Sequence, residues 1–465
     1  MNRVLIKNGR VIDPANCIDA VMDVFVENGV ISAIHDSGTD LHDSHMPKNN
    51  SAVEQNSLPT SDIKIIDATG LWVTPGLIDM HVHFRDPGWP LKETIASGTA
   101  AAAAGGFTTV CPMANTDPVT DSPEVVRQVI SKAIAEGHVH VIPIGSITKG
   151  LGGIELSPIS EMKAAGICAV SDDGKTVDNA VLYKAAMEHA AACGLPVLAH
   201  CEDLQLVCGG HINAGAHAKA LGVKGISNES ESEIIARDIR LAKEVILRES
   251  KPGLKLHICH VSTAEGVSHI RAAQKEGLPI TAEVCPHHFT LADEDIPCIV
   301  TVSPSQSPDP NYKMSPPLRS RKDIAALKSA LKDGTIAVIA TDHAPHHEDD
   351  KSVGIEKAAN GIIGLETAVS LCITELVNTG TLTPSQLIAK LTINPARIIG
   401  IDKGTLSVGK MADITIIDPT KHHIIDKQSF RSKSRNTPFH GRAVWGQVQY
   451  TIVEGKIVYD NRQAD

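Results

Sequence analysis

Two histidines set two residues apart, His81 and His83, close an apolar run that starts after Gly76 and breaks at Pro87-Gly88. Alternate side chains of a strand share a face, so both imidazoles point the same way and can grip one metal ion. If the extended geometry persists, Arg85 continues on that face and sets a cation one step beyond the metal, where an anionic substrate group can dock. A lone His-x-His suits two hydrogen-bonded strand histidines equally well, so the rest of the chain decides. Similar groups end other apolar runs: His200 ends Val197-Leu198-Ala199, and His260 ends Leu256-His257-Ile258-Cys259. Asn115 lies just after Thr108–Cys111, Asp172 and Asp173 follow Ala169-Val170-Ser171, and Asp342 opens the loop after Val338-Ile339-Ala340-Thr341. Four histidines and at least one aspartate converging on one face supply enough nitrogen and oxygen ligands for two divalent ions of the zinc type.

Convergence of that kind needs strands that all end at one face. Apolar runs alternate with helical stretches through the middle of the chain, at 78–83, 108–111, 139–144, 169–171, 197–200, 256–260, 280–284 and 337–341. That number matches an α/β (β/α)8 TIM-type barrel, whose chemistry sits at the carboxyl ends of its strands. A doubly wound open sheet is the second choice, but no Gly-rich phosphate fingerprint follows the first run. Both termini read as strands alone. Asn8-Gly9, Asn28-Gly29 and Glu454-Gly455 are hairpin-turn signals, and the two ends are expected to pair into one small composite β-sandwich. The expected organisation is 1–73 and 405–465 for the sandwich, with a polar mobile insertion at 37–62, and 74–404 for the barrel.

The chain of 465 residues is 42% hydrophobic but only 3% aromatic, so its core must rest on Ala, Val, Ile and Leu. A net charge of -11 argues against nucleic acid or an anionic membrane as partner. No apolar run reaches the length of a bilayer span, and the ten cysteines form no CxxC pair, which together suggest a cytoplasmic location.

The motifs His81-Val82-His83-Phe84-Arg85-Asp86-Pro87-Gly88, Lys92-Glu93-Thr94-Ile95, Ser171-Asp172-Asp173-Gly174, Ala199-His200-Cys201-Glu202-Asp203, Cys259-His260-Val261-Ser262-Thr263, Pro316-Pro317-Leu318-Arg319 and Ala340-Thr341-Asp342-His343-Ala344-Pro345-His346 span nearly the whole chain. In them the chain resembles the dihydroorotases of type I, the bacterial kind, within the amidohydrolase superfamily. The resemblance implies two Zn2+ ions per chain and the interconversion of dihydroorotate and N-carbamoyl-L-aspartate in pyrimidine biosynthesis. By the same resemblance His81 and His83 hold the first ion, His200 and His260 the second, and Asp173 bridges them. Asp342 contacts the first ion and serves as catalytic acid and base. Strand alternation alone leaves Asp172 and Asp173 open; the resemblance selects Asp173. Hydantoinases and allantoinases usually bridge their metals with a carboxylated lysine, and here Lys175 is the nearest lysine, though not at the strand end. The implied reaction is amide hydrolysis by a water that the two ions acidify and share.

The resemblance assigns the substrate carboxylate to Arg85, Asn115 and His346. It also places Ser315 where many relatives carry an asparagine, and Asn360-Gly361 where a Phe-Gly pair is common. The polar loop from His346 to Asn360 reads as a mobile lid, and His287 and His288 as packing or supporting groups. Other readings are a different cyclic amide hydrolase, such as a hydantoinase or allantoinase, or a non-catalytic subunit that scaffolds aspartate transcarbamoylase. Homodimerisation and a transcarbamoylase partner stay open.

Overall fold

Apolar residues at alternate positions lay both ends of the chain into one sheet. In the computed structural model, which describes residues 3–37, 63–248, 253–300 and 306–463, that sheet starts with β1 (Arg3–Asp13), β2 (Ile18–Glu27), β3 (Val30–Asp36), β4 (Ile63–Asp67) and β5 (Trp72–Pro75). Apart from Ser37, the stretch expected as a mobile insertion lies outside the described residues. Asn28-Gly29 turns β2 into β3, both residues at positive φ, as the expected hairpin requires. Asn8-Gly9 does not turn the chain. It is a bulge inside β1, where the register against β2 shifts between Ile6 and Gly9 and Asn8 takes φ 61°. Buried Val4-Leu5-Ile6 before the pair and Val11-Ile12 after it keep the strand going, so the local turn signal yields to burial.

A parallel trio follows: β6 (Leu77–Val82), β7 (Phe107–Pro112) and β8 (His140–Val141), paired in that order. After β9 (Val197–Ala199), a small side pair, β10 (Ile212–Asn213) with β11 (Gly225–Ile226), precedes β12 (Leu256–Ile258) and β13 (Ile280–Val284). A second side pair, β14 (Cys298–Val300) with β15 (Gln306–Pro308), precedes β16 (Val338–Ile339). Strands β9, β12, β13 and β16 form a parallel sheet. Single bridges join the two sets, from Gly145 to Val170, from Val170 to Val197, and from Val82 to His343. The pairings therefore run in succession from β6 back to β6. The expected run at 169–171 contributes one bridged residue, Val170, with the Ala169 carbonyl and the Ser171 amide bonding Gly145, because the chain turns away at once into Asp172 and Asp173.

Helices between these strands start where short polar side chains can take up free amide groups. Thr94, Ser122, Asn179, Thr263 and Ser320 each accept a backbone N–H in the first turn of the helix that follows. The chain ends in β17 (Ile414–Ile424), β18 (Ala443–Val453) and β19 (Lys456–Asp460), with Glu454-Gly455 at the last turn. Strand β17 runs antiparallel to β5, so both termini share one eight-stranded sheet. Val4, Ile6, Val24, Val73, Ile414, Ile416 and Ile452 fill one core on it. Strand β5 continues to Pro75, so the expected boundary at 73/74 falls inside a strand. No helix among the described residues is long and apolar enough to cross a membrane.

Close approach to another stretch of backbone is strictest, among the described glycines, at Gly105, where the helix Ile95–Ala104 ends. A Cβ there would lie 2.2 Å from the backbone oxygen of Leu365, although its φ of -81° suits any residue. Gly105→Ala is therefore expected to destabilise the protein by about 1–3 kcal/mol through overpacking alone. Urea unfolding measures this, and an unchanged midpoint would refute the contact's importance.

Candidate metal centre

Strand β6 delivers His81 and His83 from its carboxyl end, both buried, with their Nε2 atoms directed at the same pair of carboxylates. His81 Nε2 lies 3.4 Å from Asp173 Oδ1 and 3.6 Å from Asp342 Oδ1. His83 Nε2 lies 3.4 Å from Asp173 Oδ2 and 3.0 Å from Asp342 Oδ1. On the other side of Asp173, its Oδ1 is 3.4 Å from His200 Nδ1 and 3.5 Å from His260 Nε2, and those two nitrogens are 2.9 Å apart. Two nests of nitrogen and oxygen atoms thus share one carboxylate. Ligands at about 2.1 Å from a tetrahedral ion stand about 3.4 Å from one another, so these spacings suit two ions. Polar accounting agrees: His81 Nε2, Asp173 Oδ1 and His200 Nε2 are buried with no hydrogen-bond partner among the described residues. Asp172 faces the other way, accepting the backbone N–H groups of Ile147 and Thr148 and the Thr148 hydroxyl. Lys175 reaches the Leu151 carbonyl.

Groups behind the histidines fix their orientation. Glu283, on β13, accepts from His81 Nδ1 at 2.6 Å and from His257 Nε2 at 3.0 Å, which leaves His81 Nε2 bare for a cation. Asn115 Oδ1 does the same for His83 at Nδ1, 2.9 Å away. Asn115 therefore orients the His83 ring. Asp79 accepts the backbone N–H groups of His81 and Thr341, tying β6 to the loop of Asp342. Glu283 was not anticipated. Its signal is a charged residue inside the strand run Ile280–Val284, where it is buried.

Charge in this pocket is settled by mutual compensation. Burial works against ionising Asp173 and Asp342, but His81 and its neighbours hold both below the ordinary carboxylate range, Asp173 well below it. Burial also opposes the protonated form of His200, yet Asp173 and Glu202 raise it to about 10. Burial likewise opposes His81, and Asp173, Asp342 and Glu283 still raise it well above 6.5. The carboxylates demand positive charge, which protons on imidazoles supply in the absence of a cation.

Beside the nests lies a cavity of about 140 Å³ lined by Arg85, Asn115, Glu202, Ser315, Asp342 and Asn360 among others. Arg85 reaches it differently from the expected strand continuation: β6 has ended at Val82, and Arg85 takes φ 57°. The turn toward Pro87-Gly88 ends the extended geometry. Neither neighbouring acid captures Arg85, since Asp86 pairs with Lys132 and Glu93 with His343. Three site residues, Arg85, His260 and Asp342, occupy the left-handed region that side chains disfavour, at 57°, 33° and 47°. Ser315 donates to Glu202 Oε1 at 2.7 Å. Glu202, two residues after His200, was also not singled out by the sequence.

His346 stands behind the cavity wall. Its Nε2 donates to the Asn360 carbonyl at 2.8 Å, and burial with nearby Arg85, Lys92 and Lys351 holds the imidazole down to about 3. Gly361, at φ 155°, lies so close to the His346 ring that no side chain fits. The 346–360 loop is pinned, unlike the expected mobile lid. Lys351, on the helical turn Glu348–Lys351, donates to the carbonyls of Lys313, Ala359 and Gly361, and Lys313 donates to those of Glu356 and Ala358. From the far end of the chain, Asn436 donates to the Ala344 and Gly361 carbonyls and accepts the His346 N–H.

The sequence profile of the amidohydrolase family matches residues 72–458. A dihydroorotase of Geobacter metallireducens is 47% identical over 456 residues, 98% of this chain and 99% of the relative. One of Acetivibrio thermocellus is 45% identical over 455 residues, 98% of each. Among solved structures, the L-hydantoinase (dihydropyrimidinase) of Arthrobacter aurescens superposes with a TM-score of 0.79 at 27% identity, covering 99% of this chain and 96% of that one.

The pinned loop makes a pH-dependent prediction. Burial and the charge of Lys313 lower Lys351 from 10.5 to about 7. Between those values the unfolded chain binds a proton that the folded chain does not, so stability gains with rising pH, by at most about 1.4 kcal/mol per pH unit. The stability of the wild type relative to Lys351→Met should therefore grow from about pH 7 toward pH 10. Urea unfolding across that range checks it; a pH-independent difference would rule it out.

Proposed function

The chain belongs to the dihydroorotases of the amidohydrolase family, and from that premise we propose that it is of the type I, bacterial kind, with two zinc ions shared by Asp173. It is a cyclic amidohydrolase that opens and closes the dihydroorotate ring. In this reading the succession of strand pairings from β6 to β16 is the (β/α)8 barrel, and the terminal sheet is the composite sandwich. His81 and His83 hold one ion, His200 and His260 the other, and Asp342 joins the first. The observation that carries the proposal is the pair of nests on either side of Asp173, opening on a cavity with Arg85 at its wall.

Bound there, the ions would acidify water and polarise the ring carbonyl under attack. Asp342 lies at the junction of the first nest and the cavity, where it takes the proton of the attacking water and returns it to the ring nitrogen as the C–N bond breaks. Ring closure runs the same path backward. Arg85 supplies a planar fork for the substrate carboxylate. Asn115, with its Oδ1 committed to His83, has its amide nitrogen left for the substrate. Ser315 and the Asn360 main chain complete the wall, while His346 and Gly361 set the position of Asn360.

A hydantoinase-like specificity is the competing reading, because the hydantoinase fold is so similar. Rings without a carboxylate separate the two. Turnover of L-dihydroorotate by the zinc-loaded protein, with hydantoin, dihydrouracil and allantoin beside it, is expected to be selective; preference for another ring would overturn the assignment. Arg85→Met should lower kcat/KM for dihydroorotate by roughly a hundredfold or more, the usual cost of removing one partner of a buried charge pair. Dihydrouracil turnover should change little, and an equal loss on both would remove the carboxylate role. Asp342→Ala should abolish turnover while metal content stays largely intact, and normal turnover would exclude its catalytic role.

A further inference from the structure

Strand β13 ends at Val284, and the chain passes directly through Cys285 into the short helix Pro286–Thr290. Three potential ligands gather in that turn: Cys285, His287 and His288 are all buried, and one ligand atom from each lies within 4.8 Å of the other two. Cys285 and His288, three residues apart, share one side of the turn, and His287 brings a ligand atom to the same place. None of the three belongs to the nests around Asp173.

Polar accounting singles out this cluster. His288 Nε2 lies 2.9 Å from the Pro316 carbonyl, which can only accept, so Nε2 carries the proton and Nδ1 presents a bare lone pair. That Nδ1 is buried without a hydrogen-bond partner among the described residues, and so is Nε2 of His287. The two histidines are each 1% exposed, and their ring centres are 4.3 Å apart at 59°. Two buried, unpartnered nitrogens on adjacent rings are costly as packing groups, since each forfeits its hydration. A backbone carbonyl behind one imidazole nitrogen, with the other nitrogen free, is the support that metal-binding histidines ordinarily have.

We propose that Cys285, His287 and His288 form a further metal site, separate from the binuclear centre. One thiol and two imidazoles favour a borderline or soft ion such as zinc or cobalt over magnesium or calcium. The hydrogen bond from His288 to Pro316 links the site to the segment that presents Ser315, so the ion braces one wall of the substrate cavity.

The proposed ligands around Asp173 are only nitrogen and oxygen, which makes sulfur the distinguishing signal. The metal-stripped protein is titrated with Co2+ and followed by absorption and metal analysis. The expected result is uptake of one equivalent beyond that of the binuclear centre, with a sulfur-to-cobalt charge-transfer band in the near ultraviolet. Cys285→Ser should lose both the band and the extra equivalent while keeping the ions of the binuclear centre; His288→Gln should weaken the extra site. Cys259, which lies near His81 and Glu283, is the control, and Cys259→Ser should keep the band. X-ray absorption of the zinc-loaded wild type needs no variant, and should show a sulfur neighbour at about 2.3 Å. A wild type with no sulfur scatterer, or a band that survives Cys285→Ser or vanishes with Cys259→Ser, would overturn the proposal.

Discussion

Buried negative charge governs this structure. Asp173, Asp342 and Glu283 lie at one end of a nearly dry strand assembly, each at most 4% exposed, in a setting where an isolated carboxylate could not stay ionised. They remain ionised because His81, His83, His200, His257 and His260 are packed among them, and the cluster still asks for cations. Burial alone would raise Glu283; the charge of His81 and the hydrogen bonds of His257 and His81 hold it low. The arrangement is costly without an ion and stabilising with one, so metal binding and the integrity of the strand ends are thermodynamically linked.

Positioning of these charges follows from short parallel strands buried on both faces. Period-two alternation puts His81 and His83 together, and parallel neighbours bring His200, His260 and Asp342 to the same end. The turns that follow are forced tight, and they put Arg85, His260 and Asp342 at positive φ. Strain there is sustained by neighbours that fix the backbone, such as the Asp79 carboxylate, which accepts from both His81 and Thr341. The loop bearing His346 is held in the same way by Lys351 and Asn436.

Much of this was legible in the sequence because the signals were local. Strand-end histidines and the Asn28-Gly29 turn both depend on a few adjacent residues. Asp173 could not be separated from Asp172 by alternation, since both follow a strand bridged at a single residue, Val170; three-dimensional context turns Asp172 to the Ile147–Thr148 amides. Arg85 was placed at the site by a continued strand that in fact ends earlier. What the sequence hid was long-range: Glu283 behind His81, Asn436 reaching across 92 residues to Ala344, and two lysines satisfied by backbone carbonyls. A polar loop looks mobile when its tethers lie far away in the chain. Asn8-Gly9 shows the converse, a strong local turn signal overruled by pairing on both sides.

The sharing of Asp173 between two ions is the central claim, and anomalous X-ray scattering from crystals of the zinc-loaded protein tests it most directly. Measured on both sides of the zinc absorption edge, the account predicts one peak among His81, His83 and Asp342 and another between His200 and His260, each within bonding distance of Asp173. A single peak at this centre, or two peaks with Asp173 bound to neither, would contradict it.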